Sequence, residues 1–234
     1  MNPWIKICAN TNAEDARAAV AAGADALGFI FAPSPRRVQP EAVARIAEHT
    51  PTVERIGVFV NESPKTIAQI FKAAKLTGVQ LHGDESPEIV EEVSALLRKS
   101  GSERPPMRII KAVHFTAEFA EKLERFSRVE AIDALLVDAF SSQASGGTGQ
   151  SFDWQAARKA LGLSRKPIIL AGGLRPENVQ QAISLLHPWG VDVASGVEHS
   201  PGKKDWQKLY AFCAAVRSEN PAKAQAQVAL KEKV

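Results

Sequence analysis

Cys8 and Asp138 are the residues of this sequence whose types and positions best suit proton transfer. Cys8 ends the apolar run IKIC and Asp138 ends the run ALLVD, so each closes a segment with the composition of a buried strand. Side chains alternate along a strand, which predicts that Lys6 and Cys8 share one face while Ile5 and Ile7 share the other. A thiol and a carboxyl group at such strand ends can act as a base and an acid.

Two glycine-bearing turns follow the last two strand-like segments. The turn AGGLRPEN contains Gly172 and Gly173, and the turn ASGVEHSPGKKD contains Ser195 and Gly196. Backbone N–H groups in such turns, at the start of a helix, bind phosphate without a cationic side chain. These four residues therefore predict a phosphorylated small molecule as the ligand.

Other polar residues fall near the same strand ends. Arg36 and Arg37 lie in the proline-stiffened loop FAPSPRRVQP, and either could bind a carboxylate through two parallel hydrogen bonds. Gln80 and His82 share the inner face of VQLH, where they are expected to contact the ligand or to support the site. Asp192 lies inward on VDVAS and is expected to orient a neighbouring side chain or a substrate hydroxyl.

These residues belong to a strand-then-helix pattern that repeats eight times. The strand-like runs are 5–9, 26–31, 55–60, 78–83, 108–113, 134–140, 167–173 and 190–196. This regular alternation implies parallel strands with right-handed crossovers, and eight units predict an α/β fold that is a closed (β/α)₈ barrel with its site at the C-terminal strand ends. An open doubly wound sheet is the alternative, but the first turn lacks G-x-G-x-x-G. We assign residues 1–220 to the barrel and expect 221–234 to form a flexible tail.

Composition narrows the partners and the compartment. The net charge is +3, but Lys and Arg are spread along the chain, which argues against nucleic-acid binding. Two cysteines give neither a disulfide framework nor metal-ligand spacing, so we expect no metal, a cytoplasmic protein, and Cys213 in the core. No targeting segment and no apolar run near the ~20 residues of a membrane span is present. Barrels of this size occur as monomers and homodimers.

Sequence blocks in order over residues 5–210 resemble the phosphoribosylanthranilate isomerase family of tryptophan biosynthesis. The blocks are KIC, NAEDA, GADALGFIF, SPRRV, IGVFVN, VQLHGDE, LLVDAF, GGTGQSFDW, LAGGLRPENV and VDVASGVEHSPGKKD. The resemblance implies an Amadori rearrangement without cofactor or metal, in which Cys8 is the general base, Asp138 the general acid and Arg37 the carboxylate-binding residue. Ala9 departs from the family's usual glycine, which costs roughly 1 kcal/mol or more if the backbone there needs a positive φ.

Three other functions fit parts of the pattern. A barrel enzyme acting on another phosphorylated sugar would share the glycine turns, although the histidine-pathway isomerase resembles this chain less because it pairs two carboxylates. A non-catalytic barrel that binds sugar phosphates is the second. The third is an aldolase that forms a Schiff base on Lys6 or Lys111. In each case the glycine-rich segment 141–154 is expected to close over a ligand.

Overall fold

Eight parallel strands close into a barrel in a computed structural model that describes residues 2–99, 107–138, 158–159 and 161–218. Each strand pairs with its neighbours along the chain, and the first pairs with the eighth to complete the ring. The predicted (β/α)₈ barrel is confirmed. The strands are β1 (Trp4–Ile7), β2 (Ala26–Ile30), β3 (Glu54–Phe59), β4 (Gly78–Leu81), β5 (Arg108–His114), β6 (Ala134–Asp138), β7 (Ile168–Ala171) and β8 (Gly190–Val193).

Helices surround the barrel, and their ends follow local sequence signals. The Asn12 side chain accepts a hydrogen bond from the backbone N–H of Asp15 at the start of the first helix, which ends at Gly23 with φ 101°. Ser63 caps the third helix, whose first residue is a proline. The helices are α1 (Ala13–Ala22), α2 (Pro40–His49), α3 (Pro64–Ala73), α4 (Pro87–Lys99), α5 (Phe119–Ser127), α6 (Val179–Leu186) and α7 (Trp206–Arg217).

The sequence pattern predicts a last helix from about Lys203 to Ser218, but in the structure this helix, α7, begins later. Two short antiparallel strands, β9 (Glu198–Ser200) and β10 (Lys203–Lys204), precede the helix. The backbone N–H of Lys204 donates to Asp15 of α1, and the Asp205 side chain accepts from the N–H of Lys208 as the true N-cap. A tertiary hydrogen bond and a later cap therefore delay the start of the helix.

Buried side chains form two layers that match the predicted alternation. Ile5 and Ile7 belong to the cluster packed between the strands and the helices, as do Leu135 and Val137. The barrel interior holds the other faces of the strands, with Trp4, Ala26, Ile56, Ile110, Ala112, Ala134, Leu136, Ile169 and Ala171. Lys6 is completely buried. The strand ends thus direct alternate residues toward the mouth of the barrel.

Several expectations fall outside the described residues. These are the ligand-closing segment 141–154, the last two residues of the strand-like run 134–140, and the tail 221–234. The domain boundaries therefore stay a prediction. Within the described ranges, no helix combines the length and the apolar character that a membrane span requires.

Candidate active site

A cavity of about 420 Å³ opens at the C-terminal ends of the strands. It collects the predicted site residues from β1, β4, β6, β7 and β8 and the turns that follow them. Every predicted site residue except Arg37 lines it: Cys8, Gln80, His82, Asp138, Gly172, Gly173, Asp192, Ser195 and Gly196. The cavity therefore brings a thiol, a carboxyl group and two glycine turns to one ligand-sized space.

Cys8 lies just beyond β1 with its thiol almost completely buried. Burial raises the pKa of this thiol, while the positive charges of Lys6 and Lys204 partly offset that effect. A Cβ atom built on Gly28 would lie 2.7 Å from Cys8 Sγ and 3.0 Å from Lys6 Cε, so only glycine leaves room for both side chains. The Nζ of Lys204 donates to the Cys8 carbonyl. The thiol thus lies within the electrostatic influence of two buried ammonium groups.

Lys6 forms a buried ion pair with Asp192, with 2.9 Å between Nζ and Oδ2. Burial alone would lower the pKa of Lys6, but the charges of Asp192 and Cys8 outweigh it and leave the pKa raised. The other carboxylate oxygen, Asp192 Oδ1, is buried and has no hydrogen-bond partner in the part of the chain that the structure describes. Because Asp192 also lines the cavity, this oxygen can accept a hydrogen bond from a ligand.

Asp138 is the last residue of β6 and faces His82 across 3.5 Å, from Oδ2 to Nε2. In this orientation of its amide, Gln80 donates from Nε2 to His82 Nδ1 over 2.8 Å, which leaves the ring Nε2 on the side of Asp138. The ring of His114 packs edge-on against His82, with centroids 5.1 Å apart. A hydrogen-bonded histidine pair therefore lies beside the carboxyl group.

The glycine turns form the far side of the cavity. Gly172 and Gly173 adopt positive φ values of 87° and 61°. A Cβ atom on Gly196 would lie 1.9 Å from the carbonyl oxygen of Leu174, so the two turns approach each other too closely for any side chain there. A second cavity of about 300 Å³ continues between these turns and reaches Arg175, a cation that sequence reasoning missed.

The two arginines after β2 have different environments. Arg36 donates from Nε and Nη2 to Glu198 at 2.9 and 2.7 Å. Burial alone would raise the pKa of Glu198, but the hydrogen bonds from Arg36 and the charge of Lys204 outweigh it and lower the pKa. Arg37 is exposed, and its backbone bridges to Ile30, which lies at the end of β2 and lines the cavity. Of these two arginines, Arg37 is the exposed one, and Arg36 is held by Glu198.

The family model described as N-(5'-phosphoribosyl)anthranilate (PRA) isomerase matches residues 5–215. A relative of that name from Trichlorobacter lovleyi is 42% identical over 210 residues, covering 89% of this chain and 95% of the relative. Another from Acaryochloris marina is 44% identical over 214 residues, covering 88% and 94%. This chain belongs to the phosphoribosylanthranilate isomerase family.

Solved structures of the phosphoribosylanthranilate isomerase family share the fold. The enzyme from Thermotoga maritima has a TM-score of 0.77 to 0.78 in the two crystal structures compared and up to 38% sequence identity. In the comparison with 38% identity, the alignment covers 92% of this chain and 98% of the other. A further family structure, in complex with reduced 1-(o-carboxyphenylamino)-1-deoxyribulose 5-phosphate, has a TM-score of 0.76 and 37% identity over the same shares. The function inferred from the sequence blocks is thus confirmed at the level of the family.

Ala9, the departure from the phosphoribosylanthranilate isomerase pattern, has φ 62° and is completely buried. The residue after the thiol therefore does require the left-handed backbone region that favours glycine. Ala9 therefore adopts a backbone conformation that is strained for any residue with a Cβ atom.

The lysines considered for a Schiff base are both engaged in other contacts. Lys111 Nζ pairs with Glu85 at 3.1 Å and donates to the carbonyl oxygens of Gly83 and Ala112 at 2.7 and 2.9 Å. Lys6 pairs with Asp192, and neither lysine is among the residues that line the cavity. This arrangement favours a phosphoribosylanthranilate isomerase over a Schiff-base aldolase.

Proposed function

We propose that Cys8 and Asp138 are the general base and general acid with which this chain converts N-(5-phosphoribosyl)anthranilate into 1-(2-carboxyphenylamino)-1-deoxyribulose 5-phosphate. The isomerase activity is that of the family to which the chain belongs. The observation that carries the two roles is that both side chains line one cavity together with the glycine turns after β7 and β8. An acid and a base on different strands can act on different sides of a bound sugar.

The rearrangement needs one proton donated and one removed. Asp138 donates a proton to the ribose ring oxygen, the bond from that oxygen to C1 breaks, and the nitrogen lone pair forms a protonated imine with C1. Cys8, as a thiolate, then removes the proton from C2, and the electron pair moves toward the imine nitrogen to give an enolamine. The enolamine tautomerises to the ketone. Each positioned group typically contributes about 10²- to 10⁴-fold to the rate.

The productive protonation state places a single proton on the pair, on Asp138 and not on Cys8. Burial raises the pKa of the thiol, which favours the protonated thiol over the thiolate. The ammonium groups of Lys6 and Lys204 stabilise the thiolate when the proton leaves. These lysines position and stabilise the base without touching the substrate.

Substrate binding follows from the remaining cavity groups. The phosphate binds at the backbone N–H groups of Gly172, Gly173, Ser195 and Gly196, where helix-start turns favour an anion. The anthranilate carboxylate binds the exposed guanidinium of Arg37. Asp192 Oδ1 accepts a hydrogen bond from a ribose hydroxyl, while Gln80 and His82 hold the side of the cavity that carries Asp138.

The decisive experiment follows the loss of anthranilate-type fluorescence when freshly made N-(5-phosphoribosyl)anthranilate is added without metal or nucleotide. Cys8→Ala and Asp138→Asn are each expected to lower kcat by at least about 100-fold with little change in KM. Cys213→Ala is the matched control, because that thiol is buried within α7, away from the cavity residues, and burial raises its pKa to about 12. Full turnover by Cys8→Ala would refute the base assignment. Product-analogue binding by wild type without any turnover would favour the sugar-phosphate binding barrel.

The carboxylate assignment has its own test in the same assay. Arg37→Gln is expected to raise KM with kcat largely kept, because it removes a contact present in both the ground state and the transition state. Arg36→Gln instead breaks the pairing with Glu198 and is expected to lower the thermal unfolding midpoint. An effect of Arg37→Gln on kcat alone would contradict a simple carboxylate clamp.

The assembly and the compartment complete the proposal. The chain acts on its small phosphorylated substrate as a monomer or a homodimer, and sedimentation of the purified protein distinguishes the two. Cys8 and Cys213 are free thiols, which fits the reducing cytoplasm.

A further inference from the structure

Three strand ends bring His82, His114 and Asp138 together beside the mouth cavity. One potential ligand atom from each side chain lies within 4.8 Å of the others, and all three residues are partly exposed. We propose that these residues form a binding site for a divalent transition-metal ion of the zinc type, and that the bound ion inhibits the isomerase. The inhibitory part rests on the proposed function of Asp138, whereas the metal binding does not.

The backbone fixes the three positions before any metal arrives. His114 and Asp138 are paired residues at the ends of β5 and β6, and His82 follows β4, the next strand around the barrel. The backbone N–H of His82 also donates to Phe59 at 2.8 Å. Zinc–ligand bonds of about 2.0–2.2 Å place the ligand atoms of a tetrahedral site roughly 3.4 Å apart. Side-chain rotations that shorten the distances between these atoms by up to about 1.4 Å would therefore complete the site.

Each histidine has a neighbour that can hold its non-ligating nitrogen. His114 Nε2 lies 3.1 Å from the carbonyl oxygen of His82, so this nitrogen carries the proton and Nδ1 carries the lone pair. For His82, turning the Gln80 amide about its last bond presents Oε1 to Nδ1–H and leaves the lone pair on Nε2, facing Asp138. Gln80 Oε1 is buried without a hydrogen-bond partner among the described residues, so this turn supplies one. Metal-bound histidines commonly have such partners, which fix the tautomer.

The donor set selects the class of ion. Two imidazole nitrogens and one carboxylate oxygen suit Zn²⁺, Co²⁺ or Ni²⁺, whereas Mg²⁺ and Ca²⁺ prefer oxygen ligands. Three protein ligands leave a fourth position open toward the cavity that His82 and Asp138 line. The same position would hold the sugar of the substrate. The ion and the substrate are therefore expected to compete.

Inhibition follows from what the ion does to the carboxyl group. A metal-bound Asp138 carboxylate cannot carry the proton that ring opening requires. The ion must leave before the substrate reacts, so zinc is expected to raise the apparent KM and a chelator is expected to restore activity fully.

The test uses full-length protein without a polyhistidine tag, first stripped with a chelator. Calorimetry with Zn²⁺ and visible absorption with Co²⁺ measure binding, and the fluorescence assay measures inhibition. Wild type is expected to bind one ion per chain at this site and to lose activity as the site fills. His114→Asn is expected to weaken binding at least about tenfold while the metal-free activity persists. The matched control is His49→Asn, which changes an exposed histidine at the end of α2 and is expected to bind zinc like wild type.

Further variants make the outcome decisive. Asp138→Asn is expected to lose zinc affinity in calorimetry, whatever its effect on turnover. Equal zinc affinity in wild type and His114→Asn would overturn the proposal. So would loss of binding in Cys8→Ser with full binding in His114→Asn, since the thiol would then be the ligand. Binding that depends on His114 but leaves turnover unchanged would keep the metal site and overturn its inhibitory role.

Discussion

The buried pair of Lys6 and Asp192 offers the most quantitative test of the reasoning about this site. The variant Lys6→Met removes the ammonium group and keeps a side chain of similar length. It leaves Asp192 as a buried carboxylate whose Oδ1 already has no hydrogen-bond partner among the described residues and whose Oδ2 loses its partner at 2.9 Å. The expected result is an uncompensated negative charge inside the barrel.

The size of the effect follows from that burial. The Lys6 side chain is 0% exposed and the Asp192 side chain 9%, so solvent screens the pair little. Removing one partner of such a pair costs about 3–5 kcal/mol of unfolding free energy. For a chain of this length each kcal/mol lowers the unfolding midpoint by about 2–4 °C, so Lys6→Met is expected to melt roughly 6–20 °C below wild type.

Urea unfolding at pH 7, monitored by circular dichroism, measures this loss of stability. Asp192→Asn and the double variant complete a double-mutant cycle. Asp192→Asn is expected to destabilise wild type but to stabilise the Lys6→Met background, because there it removes the stranded charge. The pKa of Lys6 is raised, so its contribution is fully present below the unfolded value of about 10.4 and disappears as pH rises through the folded value. The gap in unfolding free energy between wild type and Lys6→Met should therefore narrow in alkali. A cost below about 1 kcal/mol at pH 7, or a double variant less stable than Lys6→Met, would refute the reasoning.

The remaining predictions concern the thiol and the turns around it. Ala9→Gly is expected to change the free energy of unfolding in urea by less than about 1 kcal/mol. Glycine removes the strain of the positive φ at this position, which is worth about 1–2 kcal/mol. The variant also loses a buried methyl group and has a more flexible unfolded chain, and both effects offset that gain. A loss above that limit would contradict the strain at Ala9. The methyl group of Gly196→Ala must displace the carbonyl of Leu174. This variant is therefore expected to raise KM at least about tenfold and to weaken inhibition by inorganic phosphate. An unchanged KM would show that this turn does not bind the phosphate. Burial raises the pKa of Cys8, so the fall of kcat/KM at alkaline pH is expected above the ordinary thiol pKa of about 8.5. A fall centred below pH 8 would contradict the scheme in which Asp138 and Cys8 share one proton.

The sequence predicts the barrel well because its signals are local. Each strand is a short apolar run followed by a helix start, as in Asn12 before α1 and Ser63 before α3. The residues that close the strands then reach the mouth by simple alternation, which is why Cys8 and Asp138 could be assigned to one cavity. Turn segments such as β9 and β10 escape this reasoning, because their pairing is too short to leave a period in the sequence.

Long-range partners are what the sequence could not supply. Arg36 and Arg37 are adjacent and chemically equal, and only the fold shows that Arg36 pairs with Glu198, which lies 162 positions away. Lys204 reaches the Cys8 carbonyl across 196 positions, so no local pattern predicts it. The contact between His114 and His82 is hidden for the same reason, because His82 follows β4 whereas His114 ends β5. Chemistry-bearing residues are visible in the sequence, but the charges that tune them are not.

Those tuning charges form two linked sets around the thiol. Lys6 pairs with Asp192 on one side. On the other side Glu198 contacts both Arg36, at 2.7 Å, and Lys204, at 3.6 Å. Within these contacts three cations face two carboxylates, so one positive charge is left over.

That surplus explains how a thiol that burial keeps protonated can still serve as a base. Forming the Cys8 thiolate neutralises the surplus charge, so the ionised form regains from Lys6 and Lys204 part of what it loses by leaving water. Without either lysine, the remaining charges in these contacts would sum to zero before Cys8 ionises and to a net negative charge after it. The two lysines thus act on the reaction through the thiol. Their ammonium groups can be buried in the barrel because Asp192 and Glu198 neutralise part of their charge.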